Sequence, residues 1–494
     1  MPEILAPAGN LSKLFTAFHF GADAVYLGGN DFSLRAFADN FDLDDIAKGV
    51  KFAHSVKKRV YVAVNVFPRT GDFGRIREYL SELKKIGADA VIASDLGVMN
   101  AVIKSGLALH VSTQANTMNA ETVKFYRDFG AKRVVLAREL SLREIGEIGA
   151  RADGIELECF VHGAMCISYS GRCLLSNYLA GRDSNRGECV QACRWKYDVR
   201  ESAGECGKED GQESGYVLKK DEEEPYCISE KDARKNDCGR AKGIESGGYG
   251  IKDETRRSGI VLKKDEEEPY CISEKDARKS GCGGSIKNGR KYEIAETGGE
   301  NYLEIQEDAK GTYILNGKDL CMINHIGELI AAGVDSFKIE GRMKSEYYVG
   351  SVVNAYRRAV DGFLSDGKVK KELFDELKKT GNRGYTTGFY LDENDRINTL
   401  SSKAVSEYAF IANVAGQGER RGTIEIVQRN RFQKGDVLEV LSPDENFLRT
   451  IEVGNMYGEN GEIVVDAKIV KQKIYLETDL ELKEFDILRS KIKK

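Results

Sequence analysis

The chain has 494 residues, a formal net charge of −5 and a hydrophobic fraction of 41%. This length corresponds to roughly three average domains, and the hydrophobic fraction is sufficient for large cores. The charge argues against a protein that binds polyanions over its whole surface, but it leaves room for a local basic face. The sequence does not begin with a basic region followed by an apolar run. No apolar run in it is as long as a membrane span. We therefore expect a cytoplasmic protein without a membrane segment.

The first part of the sequence alternates short β-rich runs with helical stretches, which is typical of βαβ units and a parallel sheet. Seven runs read as strands: EILAPA, DAVYLGG, RVYVAVNV, DAVIAS, ALHVSTQ, RVVLARE and GIELECFVHG. The first helix is expected over residues 10–20, with Asn10 or Ser12 as its N-cap.

A cysteine-rich run follows the seventh strand and contains Cys166, Cys173, Cys189 and Cys193. Four thiolates can close around a zinc ion or a [4Fe-4S] cluster. Only Cys189 and Cys193 have the short spacing of structural zinc ligands, because six residues separate Cys166 from Cys173. The irregular spacing favours iron-sulfur. The alternative is that some of these are buried apolar cysteines, as we expect for Cys159.

Residues 200–305 are rich in Gly, Ser, Lys, Asp and Glu, and they contain the string VLKKDEEEPYCISEKDARK twice, at 217–235 and 261–279. A stacked solenoid needs about three apolar units, which two polar copies do not supply. We interpret the segment as an inserted loop. Its matched cysteines could form a second metal site, but duplication alone produces the match. These cysteines are Cys227, Cys238, Cys271 and Cys282.

After the insert, DLCMINHIGELIAAG predicts a helix with Gly333 as its C′ residue, and SFKIEGR predicts an eighth strand. Eight such units favour a (β/α)8 barrel. The alternative is an open doubly wound sheet, which the lack of a Gly-x-Gly-x-x-Gly turn disfavours. The run SEYYVGSVVNAYRRAVDGFL predicts a closing helix with Arg357 and Arg358 exposed.

From about residue 405, short alternating runs separated by turn residues predict a small β-barrel domain. The chain then divides into four segments. They are 1–199, the first part of the barrel with the clustered cysteines; 200–305, the charged insert; 306–400, the completion of the barrel and its closing helix; and 401–494, the C-terminal β-barrel.

A (β/α)8 barrel carries its active site at the C-terminal ends of its strands, where this sequence has polar residues. The candidate catalytic acid-base residues are Glu158, His162 and Glu340. The candidate substrate-binding residues are Arg138, Gln114, Arg342 and Lys338. Their three cations could hold an anion through charge-assisted bonds. Other polar residues at the strand ends are Asn10, Asn65, Asp95, Asn116 and Glu139. For each carboxylate the alternative is a simple salt-bridge role.

The cysteine run also carries a long pattern that resembles a known signature: Glu158-x-Phe160-x2-Gly163-Ala164-Met165-Cys166-x4-Gly171-x-Cys173-x-Leu175-Ser176. In this pattern the chain resembles the collagenase-like peptidase family, peptidase family U32. The resemblance extends to EILAPAGN, GADAVYLGG, GTYILNGKDLCMI, SFKIEGRMKSEYYVG and NRGYTTGFY, so it covers most of the chain outside the insert.

Members of that family include tRNA and ribosomal RNA hydroxylation proteins and oxygen-independent quinone hydroxylases, several of which carry an iron-sulfur cluster on four cysteines. The resemblance therefore implies a [4Fe-4S] cluster on Cys166, Cys173, Cys189 and Cys193. The cysteine run is most similar to members that help convert the wobble uridine of tRNA to 5-hydroxyuridine, with prephenate implicated as the hydroxyl source.

The resemblance thus implies an RNA hydroxylase with tRNA as its partner. Arginines and aromatic residues around the cysteines suit RNA phosphates and stacked bases, and they equally suit neutralisation of an anionic cluster. Three alternatives remain. They are a peptidase that uses a clustered thiol with His162, a hydroxylase of ribosomal RNA or a quinone, and a binding protein whose cluster is only structural.

Overall fold

The computed structural model describes residues 1–30, 32, 40–165, 317–391 and 404–492, together with five strands between residues 197 and 313. The chain divides into two compact units. One comprises Met1–Arg194 and Leu315–Lys494, and the other comprises Trp195–Ile314.

A closed barrel of parallel strands forms the first part of the larger unit. Its first seven strands are β1 (Glu3–Pro7), β2 (Ala24–Gly28), β3 (Arg59–Ala63), β4 (Ala90–Ala93), β5 (Leu109–Val111), β6 (Arg133–Val135) and β7 (Glu156–Ala164). The eighth barrel strand, Ser336–Ile339, pairs in parallel with both β1 and β7 and so closes the ring. The (β/α)8 prediction is confirmed, and the open doubly wound sheet is wrong.

The barrel strands are apolar runs because both of their faces are covered. β1 and β2 are buried along their whole length. Leu5, Tyr26 and Tyr61 belong to a cluster of inward-facing side chains, while Ile4 and Leu27 pack in the larger core beneath the helices. Alternate residues of one strand therefore serve two different packing layers.

Six helices connect the first seven strands: α1 (Leu11–His19), α2 (Leu43–Ser55), α3 (Phe73–Ile86), α4 (Leu96–Ser105), α5 (Ala120–Phe129) and α6 (Leu142–Gly149). α1 begins after Asn10, whose side chain accepts a hydrogen bond from the backbone N–H of Lys13, so Asn10 rather than Ser12 is the cap. Asp95 caps α4 in the same way. These two strand-end residues therefore have structural roles.

The smaller unit contains an antiparallel sheet of five strands: β8 (Tyr197–Glu201), β9 (Tyr216–Lys220), β10 (Tyr292–Ala295), β11 (Tyr302–Asp308) and β12 (Gly311–Tyr313). Two of these strands, β9 and β10, lie inside the segment that we interpreted as a loop, and β8 and β11 overlap its ends, so that interpretation is wrong for these residues. The other residues of the tandem repeat lie outside the described part of the chain, as do the four matched cysteines of the insert.

The second part of the larger unit returns to the barrel. Its elements are β13 (Asp319–Cys321), α7 (Ile326–Ala331), β14 (Ser336–Ile339), α8 (Glu346–Asp366), α9 (Glu372–Lys378) and β15 (Tyr385–Thr386). β13 pairs antiparallel with the end of β7, so the helix predicted from Asp319 begins only at Ile326. Gly333, with a φ of 81°, follows the helix as predicted.

The C-terminal region is an antiparallel half-barrel, and its strands are β16 (Tyr408–Gln417), β17 (Thr423–Gln428), β18 (Phe432–Gln433), β19 (Val437–Leu441), β20 (Thr450–Glu452), β21 (Met456–Tyr457), β22 (Ile463–Val464), β23 (Asp466–Ala467), β24 (Lys473–Glu477) and β25 (Ile487–Lys491). Eight of them form one sheet around a core of their own. The β-rich character predicted for this region is confirmed.

Buried charges join the half-barrel to the (β/α)8 barrel. The Arg489 guanidinium contacts Glu376 of α9 and lies 2.6 Å from the carboxylate of Glu439. His19 at the end of α1 lies 2.8 Å from Asp486. Arg358, predicted to be exposed, instead donates hydrogen bonds to the carbonyls of residues 442–444. These contacts hold the half-barrel against α1, α8 and α9.

Among the residues that the structure describes, no helix is both long enough and apolar enough to span a membrane.

Candidate active site at the barrel mouth

The C-terminal ends of the last barrel strands form the mouth, and they bring together predicted residues that are far apart in sequence. Arg138 follows β6, His162 lies near the end of β7, and Glu340 follows β14 directly. The Arg138 guanidinium donates to the Glu340 carboxylate at 3.2 Å and to the backbone carbonyl of Ala164 at 2.9 Å. Arg138 and Glu340 therefore tie together the ends of three adjacent strands.

The Arg138 side chain is buried, and its guanidinium carbon lies 3.8 Å from the centroid of the Phe160 ring. Stacking on an aromatic face fixes the plane of the guanidinium. Its Nε has no hydrogen-bond partner among the described residues. The position of the Arg138 cation is thus fixed, and its Nε–H donor is unused.

Several other buried polar atoms near the mouth also lack a hydrogen-bond partner within the described ranges. They are Asn116 Oδ1, Thr117 Oγ1, Glu139 Oε2 and His162 Nδ1. Burying a polar atom without a partner is unfavourable by about 1–3 kcal/mol, so native proteins keep few such atoms. They follow β5 and β6 or, for His162, lie near the end of β7, which indicates a place that is built to receive a polar ligand.

His162 occupies a pocket of tyrosines rather than open solvent. Its ring centroid lies 5.3 Å from that of Tyr385, 5.6 Å from that of Tyr356 and 6.0 Å from that of Tyr348. Burial, aided by the positive charge of Lys344, lowers the pKa of His162 to about 3. The imidazole is therefore neutral near pH 7, so it can accept a proton only if a ligand changes this environment.

Glu158 and Lys338 lie inside the barrel rather than at its mouth. The Lys338 ammonium is 2.6 Å from the Glu158 carboxylate, and the Arg133 guanidinium is 3.0 Å from it. Burial alone would raise the pKa of Glu158, but the Lys338 and Arg133 charges outweigh that effect and hold the pKa below its usual range. Both carboxylate oxygens are thus engaged by cations, an arrangement suited to a permanent ion pair.

The same interior network continues toward the N-terminal ends of the strands. The Glu3 carboxylate lies 2.5 Å from the Arg133 guanidinium and accepts hydrogen bonds from Tyr61 at 2.7 Å and Ser336 at 3.0 Å. Paired charges in this part of a barrel serve packing, because ligands bind at the opposite face. The predicted roles of Glu158 and Lys338 remain predictions, and their surroundings favour the salt-bridge alternative.

The two remaining candidates lie in separate loops. Gln114 is in a short 3-10 helix after β5, where its side chain contacts the Ser112 hydroxyl. Arg342 is buried in the loop after β14, and its backbone carbonyl accepts a long hydrogen bond of 3.4 Å from the Lys13 ammonium. The roles of Gln114 and Arg342 in substrate binding remain predictions.

Comparison with known proteins agrees with this geometry. The model of peptidase family U32 matches residues 9–236 and 269–399, and the model of the U32 C-terminal domain matches residues 406–489. The chain belongs to peptidase family U32. The four clustered cysteines, two of which belong to the signature, lie outside the described residues, because β7 ends at Ala164 and Met165 is the last described residue before them.

Two relatives of this U32 chain span nearly its whole length. It is 32% identical to tRNA hydroxylation protein P1 of Bacillus subtilis (strain 168), over 99% of its own length and 94% of that protein's. It is 35% identical to tRNA hydroxylation protein P of Escherichia coli (strain K12), over 99% and 97% of the two lengths. A third relative, Collagenase of Porphyromonas gingivalis (strain ATCC BAA-308 / W83), is 26% identical over 89% and 86%.

The described part of the U32 chain contains no candidate metal site. Within those residues, no group of three or more His, Cys, Asp or Glu side chains is placed to hold a metal ion. Cys159 and Cys321 are buried and free, and the buried position expected for Cys159 is confirmed. Burial raises the pKa of the Cys321 thiol to about 12 and that of Cys159 further, so neither thiol ionises near pH 7.

Sequence reasoning missed two residues near the mouth of the U32 barrel. Thr117 is fully buried just after β5 with an unpartnered hydroxyl, and Lys13 is buried within α1. Threonine and lysine are common in any sequence, and neither position has a motif of its own. Only the helix start at Asn10, three residues before Lys13, could have pointed to the second of them.

Proposed function

We propose that this chain is a tRNA hydroxylase that converts the wobble uridine to 5-hydroxyuridine. Two relatives that align over almost the full length bear names as tRNA hydroxylation proteins. The observation that carries the proposal from the structure is the set of unpartnered polar atoms after β5 and β6 and near the end of β7. A uracil has an N–H donor and two carbonyl acceptors and can supply missing partners of both kinds.

We further propose that Cys166, Cys173, Cys189 and Cys193 hold a [4Fe-4S] cluster. Four thiolates fit that group, and the two described cysteines, with raised pKa values, do not compete as ligands. When bound, such a cluster supplies electron transfer or a Lewis-acidic iron. The ligands lie outside the described residues, so the proposal depends on the chemistry of the donor set and on the position of Met165 just before Cys166.

The chain's own residues then have distinct tasks. Arg138, fixed by Phe160 and Glu340, holds an anionic group of the hydroxyl donor, for which a dicarboxylate such as prephenate has the right charge. Burial raises the pKa of Glu139, so this carboxyl can keep or release a proton beside Arg138. His162 stays neutral and offers its Nδ1 as a hydrogen-bond partner.

Proteolysis is the second candidate, because the family and one relative carry peptidase names. A thiol protease needs an activated cysteine beside a histidine. Among the described residues neither cysteine has a lowered pKa, so neither Cys159 nor Cys321 is suited to that role. We favour hydroxylation because the two relatives named as tRNA hydroxylation proteins are 32% and 35% identical to this chain, against 26% for the collagenase.

The test uses a bacterial strain that lacks 5-hydroxyuridine in its tRNA, complemented with wild type, Cys173→Ser or Cys206→Ser. Cys206 is a matched control because it has no predicted ligand role. We expect 5-hydroxyuridine, measured by mass spectrometry of tRNA nucleosides, with wild type and Cys206→Ser only. Protein purified without oxygen should contain about four irons and four sulfides, which Cys173→Ser loses.

Other results would redirect the assignment. New 5-hydroxycytidine in ribosomal RNA with unchanged tRNA would move the substrate to the ribosome. Cleavage of gelatin by iron-free protein, with no modified nucleoside, would support the peptidase instead.

A further inference from the structure

An open cavity of about 540 Å³ lies where the barrel mouth meets the C-terminal half-barrel. Its barrel wall comes from the loop after β1 and the loop after β14, which are neighbours around the ring. Its other wall comes from the end of β17 and the loop before β24. The cavity is thus adjacent to the loop that carries Glu340, but the Arg138 and Glu340 pair does not line it.

Positive charge dominates this cavity. Four cations line it, and one carboxylate does so as well: Lys13, Lys344, Arg429 and Lys471, with Glu346. Glu346 lies 3.5 Å from Arg429, too far for a strong pair. The lining therefore keeps a surplus of positive charge, although the formal charge of the chain is negative.

Lys13 is the unusual member of the set, because its side chain is buried in the cavity wall with 8% of its surface exposed. A buried ammonium normally has a carboxylate partner. Within the described chain the Lys13 ammonium donates a hydrogen bond of 3.4 Å to the carbonyl of Arg342. Two of its three N–H donors are left for another acceptor.

Gly9 explains how the ammonium reaches this position. A Cβ atom at residue 9 would collide with the Arg342 carbonyl and would lie 3.1 Å from the Lys13 Nζ. Glycine thus allows the loop after β1 to touch the loop after β14 and leaves room for the amine. The close approach gives the Gly-Asn pair of the opening segment a structural purpose.

Two helices also begin at the cavity. Asn10 and Ser345 both line it, and they cap α1 and α8, which are nine and 21 residues long. Helix N-termini carry partial positive charge and free N–H groups, which favour anions. Together with the under-partnered Lys13 ammonium, they make the cavity suited to a phosphate group.

We infer that this cavity binds a phosphate of the RNA backbone. The inference rests on the proposed function and adds to it, because it assigns the half-barrel a share in holding the tRNA. Phosphates lie along an extended strand, and a cleft with cations on both walls suits such a chain of charges. A phosphate here would position the nucleic acid while the base enters the neighbouring mouth.

The experiment measures tRNA binding by the full-length protein at several salt concentrations, with wild type, Lys13→Met, Lys471→Met and Lys132→Met. Lys132 is an exposed lysine before β6, at the opposite end of the barrel, so its variant is matched in charge. We expect Lys13→Met and Lys471→Met each to raise Kd about tenfold in 0.1 M salt and to reduce the slope of log Kd against log salt by about one. Lys132→Met should match wild type.

Lys471 is exposed, so its variant checks the inference even if Lys13→Met unfolds, which thermal unfolding would reveal. Unchanged tRNA binding by folded Lys13→Met and Lys471→Met would overturn the inference alone. Weaker binding of prephenate with unchanged tRNA binding would also overturn it, since the anion would then be a small carboxylate. Failure of wild type to bind tRNA would overturn the proposed function as well.

Discussion

The two ends of the barrel interior handle buried charge in opposite ways. At the N-terminal end, Glu3, Arg133, Glu158 and Lys338 satisfy one another within 3.0 Å. At the mouth, Arg138 has one charged partner, Glu340, at 3.2 Å, and several other buried polar atoms near the mouth have no hydrogen-bond partner in the described ranges. The closed network holds the strands together, whereas the open one leaves hydrogen-bonding capacity for a ligand.

This difference separates residues that composition alone makes equivalent. Glu158 and Glu340 are both carboxylates on the last two strands, yet cations engage both oxygens of the first, and the second pairs with Arg138 at the edge of the mouth. A charge with complete partners is built for stability. A charge that lies at the mouth, near buried polar atoms without partners, is a better candidate for chemistry. Variants of both groups of residues test this distinction between stability and ligand binding.

Arg133→Met should have the largest effect on stability. It removes the shared cation of Glu3 and Glu158 and leaves buried carboxylates without that partner. We expect the free energy of unfolding to fall by about 3–5 kcal/mol, measured by urea denaturation. Arg143→Met, in an exposed pair with Glu147, is the control and should change it by less than about 1 kcal/mol. An equal loss in both variants would contradict the interior network.

His162 should make stability depend on pH. Its pKa is about 3 when folded and near 6.5 when unfolded, so between these values only the unfolded chain binds the proton. The free energy of unfolding is therefore not reduced by His162 above pH 6.5. Below that pH it decreases by up to about 1.4 kcal/mol per pH unit. Unfolding at pH 6.5 and 5.0 should show wild type losing up to about 2 kcal/mol more than His162→Gln.

The window from pH 6.5 to 5.0 lies above the range in which Glu3 and Glu158, with lowered pKa values, take up protons. His110, whose pKa burial lowers well below its usual value, contributes equally to both proteins and cancels in the comparison. Identical pH slopes for wild type and His162→Gln would show that His162 binds its proton as readily in the folded protein as in the unfolded chain.

Arg138→Met should have the smallest effect on stability. Methionine keeps apolar contact with Phe160, and Glu340 retains some access to solvent. We expect the free energy of unfolding to decrease by about 1–2 kcal/mol, because Glu340 and the Ala164 carbonyl each lose a hydrogen-bond donor. A loss as large as that of Arg133→Met would mean that the mouth is held together by the same kind of network as the interior.

The sequence predicted the barrel well because each strand is an apolar run that ends in a polar or Gly-containing segment. All eight strands appear where the runs lie, and the C-terminal strands follow the alternating segments. The error at Asp319–Cys321 has a physical cause. Three residues are too few to show a period, and the strand forms because it pairs with the end of β7. The local sequence does not show which strand these three residues will pair with.

The site was harder to predict, because burial and pairing are properties of the fold. Arg357, predicted to be exposed, lies 3.1 Å from Asp23, which is 334 residues away in sequence. Glu158 follows the same rule, since its partner Lys338 comes 180 residues later. A sequence identifies which residues can ionise, but it does not identify which of them already have a partner.

The most direct test of the account is the tRNA hydroxylation activity of Arg138→Met. Tested in the complemented strain with Lys132→Met as the charge-matched control, it should lower 5-hydroxyuridine in tRNA by about 10- to 100-fold at equal amounts of folded protein. Lys132→Met should leave the modification at the wild-type level. Wild-type levels of 5-hydroxyuridine with Arg138→Met would contradict the claim that the barrel mouth is the site of the reaction.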